Sequence, residues 1–223
     1  MHYLQTQILQ QLALKSPARY SDLKPQTIEG NLFTYHLRAL IRRELISHAA
    51  QTYTLTQSGL LYVESLSLTT QQPRIQAKIV TLIACRREDG AWLLYLRDRQ
   101  PFKGRAGFPY GKIHMQETVI NAAQRELFDK SGLKSNLQHI ADVYLTTTQQ
   151  GELISQMLAH ICVGSAPQEA DVHSPCFWEM NAASPKQATF PGFEEVLALA
   201  QQALETAPPA KNTITFAEYT FNL

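Results

Sequence analysis

Three acidic residues in the middle of the chain have the types and the spacing of a magnesium site. Glu126 and Asp129 are three residues apart, so in a helix they lie on one face. Glu117 precedes them, and Gly111 leaves the backbone free to approach an ion. Carboxylate oxygens are the ligands that Mg²⁺ prefers, and the bound ion holds substrate phosphates and activates water. We therefore predict metal ligation by Gly111, Glu117, Glu126 and Asp129, with Glu126 and Asp129 as the catalytic pair.

The segment that holds these residues, GKIHMQETVINAAQRELFDKSGL from Gly111 to Leu133, resembles the Nudix box. It keeps the family's separations between the glycine, the glutamate, the Arg-Glu pair, the acidic positions and the final glycine. The resemblance implies an α/β/α sandwich with a mixed sheet, Mg²⁺ or Mn²⁺ as cofactor, and hydrolysis of a nucleoside diphosphate linked to another moiety. It also implies that Arg125 pairs with Glu117 and has a structural role.

The box departs from the family pattern at two positions. Tyr110 replaces the first of two glycines, and Lys130 replaces an acid that is normally a principal metal ligand. An ammonium at that place repels Mg²⁺ and instead favours an ion pair with Glu126, four residues earlier. Two hypotheses follow: a hydrolase with a weakened metal site, or a nucleotide-sensing transcriptional regulator that binds its ligand without cleaving it.

Cationic residues precede the box and are candidates for contacts with phosphate through charge-assisted hydrogen bonds. The predicted substrate-binding set is Arg97, Arg99, Lys103, Arg105, Tyr110, Lys112 and Lys130. Tyr110, Phe102 and Trp178 are candidates for stacking on a base. The alternatives are a solvated strand end for the cations and core positions for the aromatic rings.

The surrounding pattern gives the order of strands and helices found in the Nudix sandwich. Apolar runs predict strands at Ile79–Cys85, Trp92–Arg97, Val143–Thr147 and Met157–Gly164, and a helix at Phe193–Leu204. Thr118 is a suitable N-cap for the helix of the box, and Gly132 a suitable stop. The predicted fold class is α/β (α+β), with a smaller domain before the sandwich.

Helical spacing and short alternating segments predict a winged-helix order at the N-terminus. Helices are expected at Tyr3–Leu14, Ser21–Leu23, Asn31–Arg43 and Gln57–Leu66, and strands at Leu45–His48 and Tyr53–Thr56. The phrases FTYHLRALIRRELI and YTLTQSGLLYVE resemble winged-helix transcription regulators, whose third helix enters the major groove. The resemblance implies contacts with double-stranded DNA through Thr34, Tyr35, His36, Arg38, Arg42 and Arg43. The alternative is a protein-interaction module, because the net positive charge of this region is small.

Breaks in composition predict the domain boundaries. A polar segment ends at Pro73, and a second break follows at 207–210. We expect a winged helix-turn-helix domain at 1–68, a linker at 69–73, a Nudix domain at 74–206 and a tail at 207–223. The tail alternates from Thr213 to Phe221, which predicts an edge strand and suggests a homodimer.

The composition of the whole chain narrows the class of protein. The net charge is +1 and the hydrophobic fraction is 44%, which argues against disorder and against a strongly basic tail. Cys85, Cys162 and Cys176 form no closed disulfide set, so reduced thiols are expected. No signal peptide and no apolar run long enough for a membrane span are visible. These features predict a cytoplasmic protein without a membrane segment.

Overall fold

The computed structural model describes residues 1–67, 70, 73–205 and 214–223, and within them the chain forms two compact units. The units are Met1–Gln76 and Ala77–Leu223. Most of the predicted linker at 69–73, the predicted break at 207–210 and the first residue of the predicted tail strand, Thr213, lie outside the described residues. None of the described helices is long and apolar enough to cross a membrane.

The N-terminal unit is helical and contains a small sheet. Its elements are α1 (Tyr3–Leu14), β1 (Ala18–Arg19), α2 (Tyr20–Leu23), α3 (Gly30–Arg42), β2 (Ile46–Ala49), β3 (Thr52–Leu55) and α4 (Gln57–Glu64). Helix α1 has the predicted bounds, because Leu4, Ile8, Leu9 and Leu12 recur at helical spacing and are buried. Helix α3 begins one residue before Asn31, with Glu29 rather than Asn31 as its N-cap.

The sheet of this unit has a strand that the sequence pattern did not predict. Strand β1 pairs with β3, with Ala18 opposite Tyr53, and gives the strand order β1-β3-β2. Helix α4 packs close to the start of β2, since a Cβ on Gly59 would lie 1.9 Å from the carbonyl oxygen of Leu45. This approach leaves room for glycine only, and it fixes the β2–β3 hairpin against α4.

The C-terminal unit is built on a mixed sheet. Its elements are β4 (Lys78–Arg87), β5 (Trp92–Leu96), β6 (Ala106–Gly107), β7 (Tyr110–Lys112), α5 (Val119–Ser131), β8 (Gln138–Gln149), β9 (Glu152–Ala166), β10 (Cys176–Glu179), α6 (Phe193–Glu205) and β11 (Thr215–Asn222). Among the described residues, the strand order is β10-β5-β4-β9-β8-β11, with β6 on β5 and β7 on β4. Strand β4 runs parallel to β9, whereas β8 and β9 are antiparallel.

Each face of this sheet is packed against one helix. Side chains alternate between the faces of a strand. One face packs against Val196 and Leu197 of α6, and the other packs against Ala123 and Leu127 of α5.

The three cysteines are buried and free of disulfides, and burial raises the pKa of the Cys85 thiol to about 12. They act as small core side chains.

Helix α5 begins and ends at the predicted caps. The Thr118 hydroxyl accepts a hydrogen bond from the backbone N–H of Asn121 at 3.2 Å. Gly132 ends the helix in the left-handed region with φ of 77°, a conformation that glycine adopts without steric cost. The helix is therefore fixed at both ends, which fixes the box side chains that it carries.

The strand in the tail pairs with another strand of the same chain. Strand β11 runs parallel to β8, with Thr215 opposite Ala141, and is the last strand on that side of the sheet within the part of the chain that the structure describes. One of its edges is therefore occupied by β8 of the same chain. A homodimer formed through its outer edge stays a prediction.

Candidate functional site

The carboxyl group of Glu126 lies against the backbone of β7 at Gly111. A Cβ added to Gly111 would lie 1.7–2.0 Å from the carboxyl atoms of Glu126. Gly111 itself pairs with Thr81 of β4, so its position is held by the sheet. A side chain at 111 would displace the carboxylate, which explains why this position of the box is glycine.

Arg125 binds both neighbouring glutamates. It forms a two-pronged contact with Glu117, with Nε to Oε1 at 2.6 Å and Nη2 to Oε2 at 2.8 Å, and its Nη1 lies 2.7 Å from Oε1 of Glu126. The backbone N–H of His114 also donates to Glu117 at 2.9 Å. The Arg125 hydrogen bonds, followed by that of His114, lower the pKa of Glu117 to about 2. Contact with the glutamates in turn raises the pKa of Arg125. This pairing ties the loop of the box to α5.

Lys130 occupies the other side of the Glu126 carboxylate. Its Nζ lies 3.6 Å from Oε2 of Glu126, and it also lies 4.9 Å from the ring centre of Tyr95. Asp129 is different, since its side chain is 59% exposed and its recorded cation contact is Arg125 at 3.8 Å. Of the three box carboxylates, only that of Asp129 is mostly open to solvent.

These residues do not fit a divalent cation in this arrangement. Both oxygens of Glu117 are bound by Arg125, and the two oxygens of Glu126 are paired with Arg125 and Lys130. Mg²⁺ needs several oxygen ligands in near-octahedral geometry, and two fixed cations beside Glu126 repel it. Of the predicted ligands, the carboxylates of Glu117 and Glu126 are thus engaged by protein cations, and that of Asp129 stays mostly open to solvent.

Some of the cations predicted to bind phosphate donate hydrogen bonds to the protein itself, and others are exposed to solvent. Arg97 is only 9% exposed, and its guanidinium donates to the carbonyl oxygens of Arg99, Gln100 and Pro101 and to the Tyr110 hydroxyl. Arg105 donates to the carbonyl of Thr189 at 2.8 Å. The prediction for Arg97 is therefore corrected: it holds the loop that follows β5. The side chains of Arg99, Lys103 and Lys112 are exposed.

An apolar pocket lies on the α6 side of the sheet, next to the loop held by Arg97. Its aromatic walls include Phe102, Tyr110 and Phe190, and the remaining walls come from Leu82, Phe108, Leu145, Thr147, Met157, Pro191, Gly192, Phe193 and Val196. The rings of Phe102 and Tyr110 both lie edge to face with Phe190. Two of the three rings predicted to stack on a base therefore line one pocket.

Trp178 lies elsewhere, and Phe190 was missed by the sequence pattern. The Trp178 indole donates to the carbonyl of Ala170 at 2.9 Å, and its ring packs on the α5 side of the sheet. The one sequence signal for Phe190 is Gly107, where a Cβ would lie 2.0 Å from the Phe190 ring. That contact depends on the pairing of strands and cannot be read from local spacing.

Five of the six residues predicted to face DNA lie on α3 and Arg43 is its C-cap, but one of the five is buried. Tyr35, Arg38, Arg42 and Arg43 are exposed, and Thr34 is half-buried. His36 is 5% exposed and stacks on His2, with ring centres 4.2 Å apart. It falls on the buried face of α3 with Phe33, Leu37 and Leu40, and burial lowers its pKa. His36 is therefore removed from the DNA-facing set.

Comparison with known proteins assigns the C-terminal unit to a family. A model of the NUDIX domain matches residues 76–209, more than half of the chain, and the chain belongs to the Nudix family. A comparison with curated protein sequences gave no match.

Similar solved structures share low identity with this chain. The Nudix domain of Shewanella oneidensis NrtR, in complex with ADP-ribose, is 15% identical, covers 67% of this chain and 99% of its own, and has a TM-score of 0.49. A MutT protein from Methanosarcina mazei Go1 is 19% identical over 60% of this chain and 100% of its own, with a TM-score of 0.47. A MutT/nudix family protein from Enterococcus faecalis is 11% identical over 81% and 76%, with a TM-score of 0.49.

Proposed function

We propose that the Nudix unit binds a ligand with a nucleoside diphosphate group without a divalent cation, and senses this ligand rather than hydrolysing it. The observation that carries the proposal is the pairing of Glu126 with Arg125 at 2.7 Å and with Lys130 at 3.6 Å. In this arrangement the two protein cations occupy the carboxylate that would otherwise ligate a metal. The ammonium of Lys130 then supplies positive charge to the phosphates as part of the protein.

Strand β7 carries a residue of the pocket and a residue of the box on its opposite faces. We infer that a single ligand extends past this short strand from one to the other. Tyr110 lines the pocket, and the next residue, Gly111, contacts Glu126. An aromatic wall suits a flat ring, because stacking on an aromatic ring tolerates any base. The cavity measures about 40 Å³ in this structure, so we infer that it widens when the ligand binds. The exposed cations Arg99, Lys103 and Lys112 then serve the diphosphate through charge-assisted hydrogen bonds. The ligand class is therefore a base or similar flat ring joined to a diphosphate.

A thermal-shift series with and without Mg²⁺ tests this proposal. The panel contains ADP-ribose, NAD, dinucleoside polyphosphates and nucleoside triphosphates, each with either excess EDTA or Mg²⁺. We expect at least one ligand to stabilise the protein equally in EDTA and in Mg²⁺, by about 2.7 kcal/mol at a hundredfold excess over its Kd. Product analysis of each hit is expected to show intact ligand.

Paired variants locate the contacts. Arg99→Ala combined with Lys103→Ala is expected to weaken binding of the hit at least tenfold, whereas Lys134→Ala, an exposed lysine outside this loop, leaves it unchanged. The proposal is refuted if no member of the panel shifts the melting temperature, or if every shift requires Mg²⁺.

We further propose that the N-terminal unit is a winged helix that binds duplex DNA through α3. The supporting observation is a shallow surface on α3 lined by Asn31, Thr34, Tyr35, Arg38, Ile41 and Arg42. Arginine, asparagine, threonine and tyrosine side chains contact phosphates and base edges. Together the two proposals describe a ligand-responsive regulator of transcription.

DNA binding through α3 is tested by triple substitution and a salt series. Arg38→Ala, Arg42→Ala and Arg43→Ala together are expected to reduce duplex affinity and to flatten its dependence on salt by about 0.9 log units per lost phosphate contact. Lys15→Ala, at the end of α1, is the matched control and is expected to bind as the wild type. If selection from random duplexes enriches no sequence and binding survives the triple substitution, the unit is an interaction module.

A further inference from the structure

Two histidines and an aspartate meet on the α5 side of the sheet, outside the box. His139 and Asp142 lie on β8 and His160 on β9. Nε2 of His139 is 2.7 Å and Nδ1 of His160 is 2.6 Å from the same oxygen, Oδ1 of Asp142. One ligand atom from each residue lies within 4.8 Å of the others. Their side chains are 15–28% exposed, so the cluster is sheltered but reachable by an ion.

An irregularity in β8 brings the three side chains together. Asp142 is directly opposite His160, so these two share a face of the sheet. His139 is three residues from Asp142, and in a regular strand residues three apart point to opposite faces. The register shifts between His139 and Ala141, with Ile140 as the extra residue. Such a bulge re-aims the side chain before it, and here it turns His139 onto the face of Asp142 and His160.

We propose that His139, Asp142 and His160 form a binding site for a divalent transition metal, with Zn²⁺ as the natural fit. Two imidazole nitrogens and one carboxylate oxygen are a ligand set for zinc that leaves a position open for water or a substrate group. Bonds of about 2 Å in tetrahedral geometry place ligand atoms about 3.3 Å apart. The cluster reaches that spacing by side-chain shifts of about 1 Å or less, because its ligand atoms already lie within 4.8 Å of one another.

A buried hydroxyl beside the cluster points independently to a ligand. Thr81 is 0% exposed, and its Oγ1 has no hydrogen-bond partner within the described part of the chain. Thr81 is the register partner of His160 in the parallel pair β4–β9, so both side chains lie on the α5 face. Buried hydroxyls without partners are costly and uncommon. A water in the open position of the metal would give this hydroxyl its partner.

The proposed site is separate from the box carboxylates. Gly111, Thr81, His160 and Asp142 follow one another across β7, β4, β9 and β8. With about 4.8 Å between neighbouring strands, His160 lies roughly 10 Å from Gly111 along this row. The metal site therefore uses none of the residues that hold Glu126. The proposal of this site can be tested separately from the proposed nucleotide binding.

The alternative is a metal-free hydrogen-bonded triad, in which both imidazoles donate to Asp142. Titration of the metal-free full-length protein with Zn²⁺ by calorimetry separates the two. We expect one Zn²⁺ per chain with micromolar or tighter affinity, no competition from Mg²⁺, and a visible spectrum with Co²⁺ that indicates nitrogen and oxygen ligands. Asp142→Asn and His160→Gln are each expected to weaken Zn²⁺ binding at least tenfold, whereas His173→Gln, an exposed histidine outside the cluster, leaves it unchanged.

The proposal is overturned if the wild type binds less than one equivalent of Zn²⁺, or if both cluster variants bind Zn²⁺ as tightly as the wild type. Circular dichroism establishes that each variant is folded. If the variants fail to fold, ring nitrogen resonances of the wild type decide the question. At one equivalent of Zn²⁺, those of His139 and His160 are expected to shift, and shifts confined to other histidines refute the site.

Discussion

Lys130→Glu is expected to raise Mg²⁺-dependent binding or hydrolysis of nucleoside diphosphate derivatives tenfold or more. The substitution removes the ammonium that lies 3.6 Å from Glu126 and adds a carboxylate one helical turn from it. Hard cations bind through oxygen ligands, so the new pair of carboxylates forms the core of a metal site. A tenfold gain needs only about 1.4 kcal/mol of barrier reduction. Initial rates and metal affinity, measured with the ligands that bind the wild type, check this result.

Two controls separate metal ligation from a general change of charge. Lys134→Glu makes the same reversal at an exposed position outside the box and is expected to give no gain. Glu126→Gln combined with Lys130→Glu is expected to abolish the gain, because the two carboxylates act as one site. Rapid wild-type turnover that is lost on Lys130→Glu would contradict the sensor proposal, and would show that the lysine itself serves the phosphates during hydrolysis.

Arg97→Ala is expected to destabilise the Nudix unit by about 3 kcal/mol, because hydrogen bonds to a charged group contribute about 1.5–3 kcal/mol and buried acceptors left unpaired add to the loss. The guanidinium donates to three backbone carbonyls at 2.5–3.1 Å and to the Tyr110 hydroxyl, and its removal leaves these acceptors without a partner. For a unit of this size the melting temperature is expected to fall by about 6–12 °C. Since Phe102 and Tyr110 line the pocket, ligand binding should weaken as well.

The neighbouring arginine is the matched control for this result. Arg99→Ala is expected to leave the melting temperature within about 2 °C of the wild type, because surface substitutions of this kind cost about 0.5 kcal/mol or less. Arg97→Lys should recover only part of the lost stability, since an ammonium lacks the planar fork that reaches several carbonyls. An unchanged melting temperature in Arg97→Ala would contradict the structural role given to this side chain.

Local sequence signals predicted the helices well, whereas β8 and β9 extend several residues beyond the predicted Val143–Thr147 and Met157–Gly164. Helix α1 and the caps of α5 at Thr118 and Gly132 follow from apolar spacing and capping chemistry, which act within one helix. Strands β1, β6, β7 and β10 have two to four residues each and were not predicted. These short strands form because residues of another strand pair with them. A short stretch of sequence contains no information about such a distant partner strand.

The candidate sites show the same division. The Arg125–Glu117 pair was implied by the resemblance to the Nudix box, and the Lys130–Glu126 pair followed from the four-residue spacing within one helix. The burial of Arg97 and His36 could not be expected from the sequence, because it depends on the loop and the helix that pack over these side chains. The cluster of His139, Asp142 and His160 needs both the register of β8 with β9 and a bulge in β8. Phe190 enters the pocket through contacts with distant parts of the chain.

The lysine that pairs with Glu126 could be replaced by a glutamate through a single mutation. Every lysine codon becomes a glutamate codon by substitution of its first base, so a chain with a second box carboxylate is one point mutation away. If such a mutant destroys the ligand that its parent only detects, the signal disappears together with the molecule that carries it. If the proposed regulatory role is the one under selection, glutamate at position 130 would be removed each time it arises. In a population that no longer needs the signal, a glutamate at position 130 could persist.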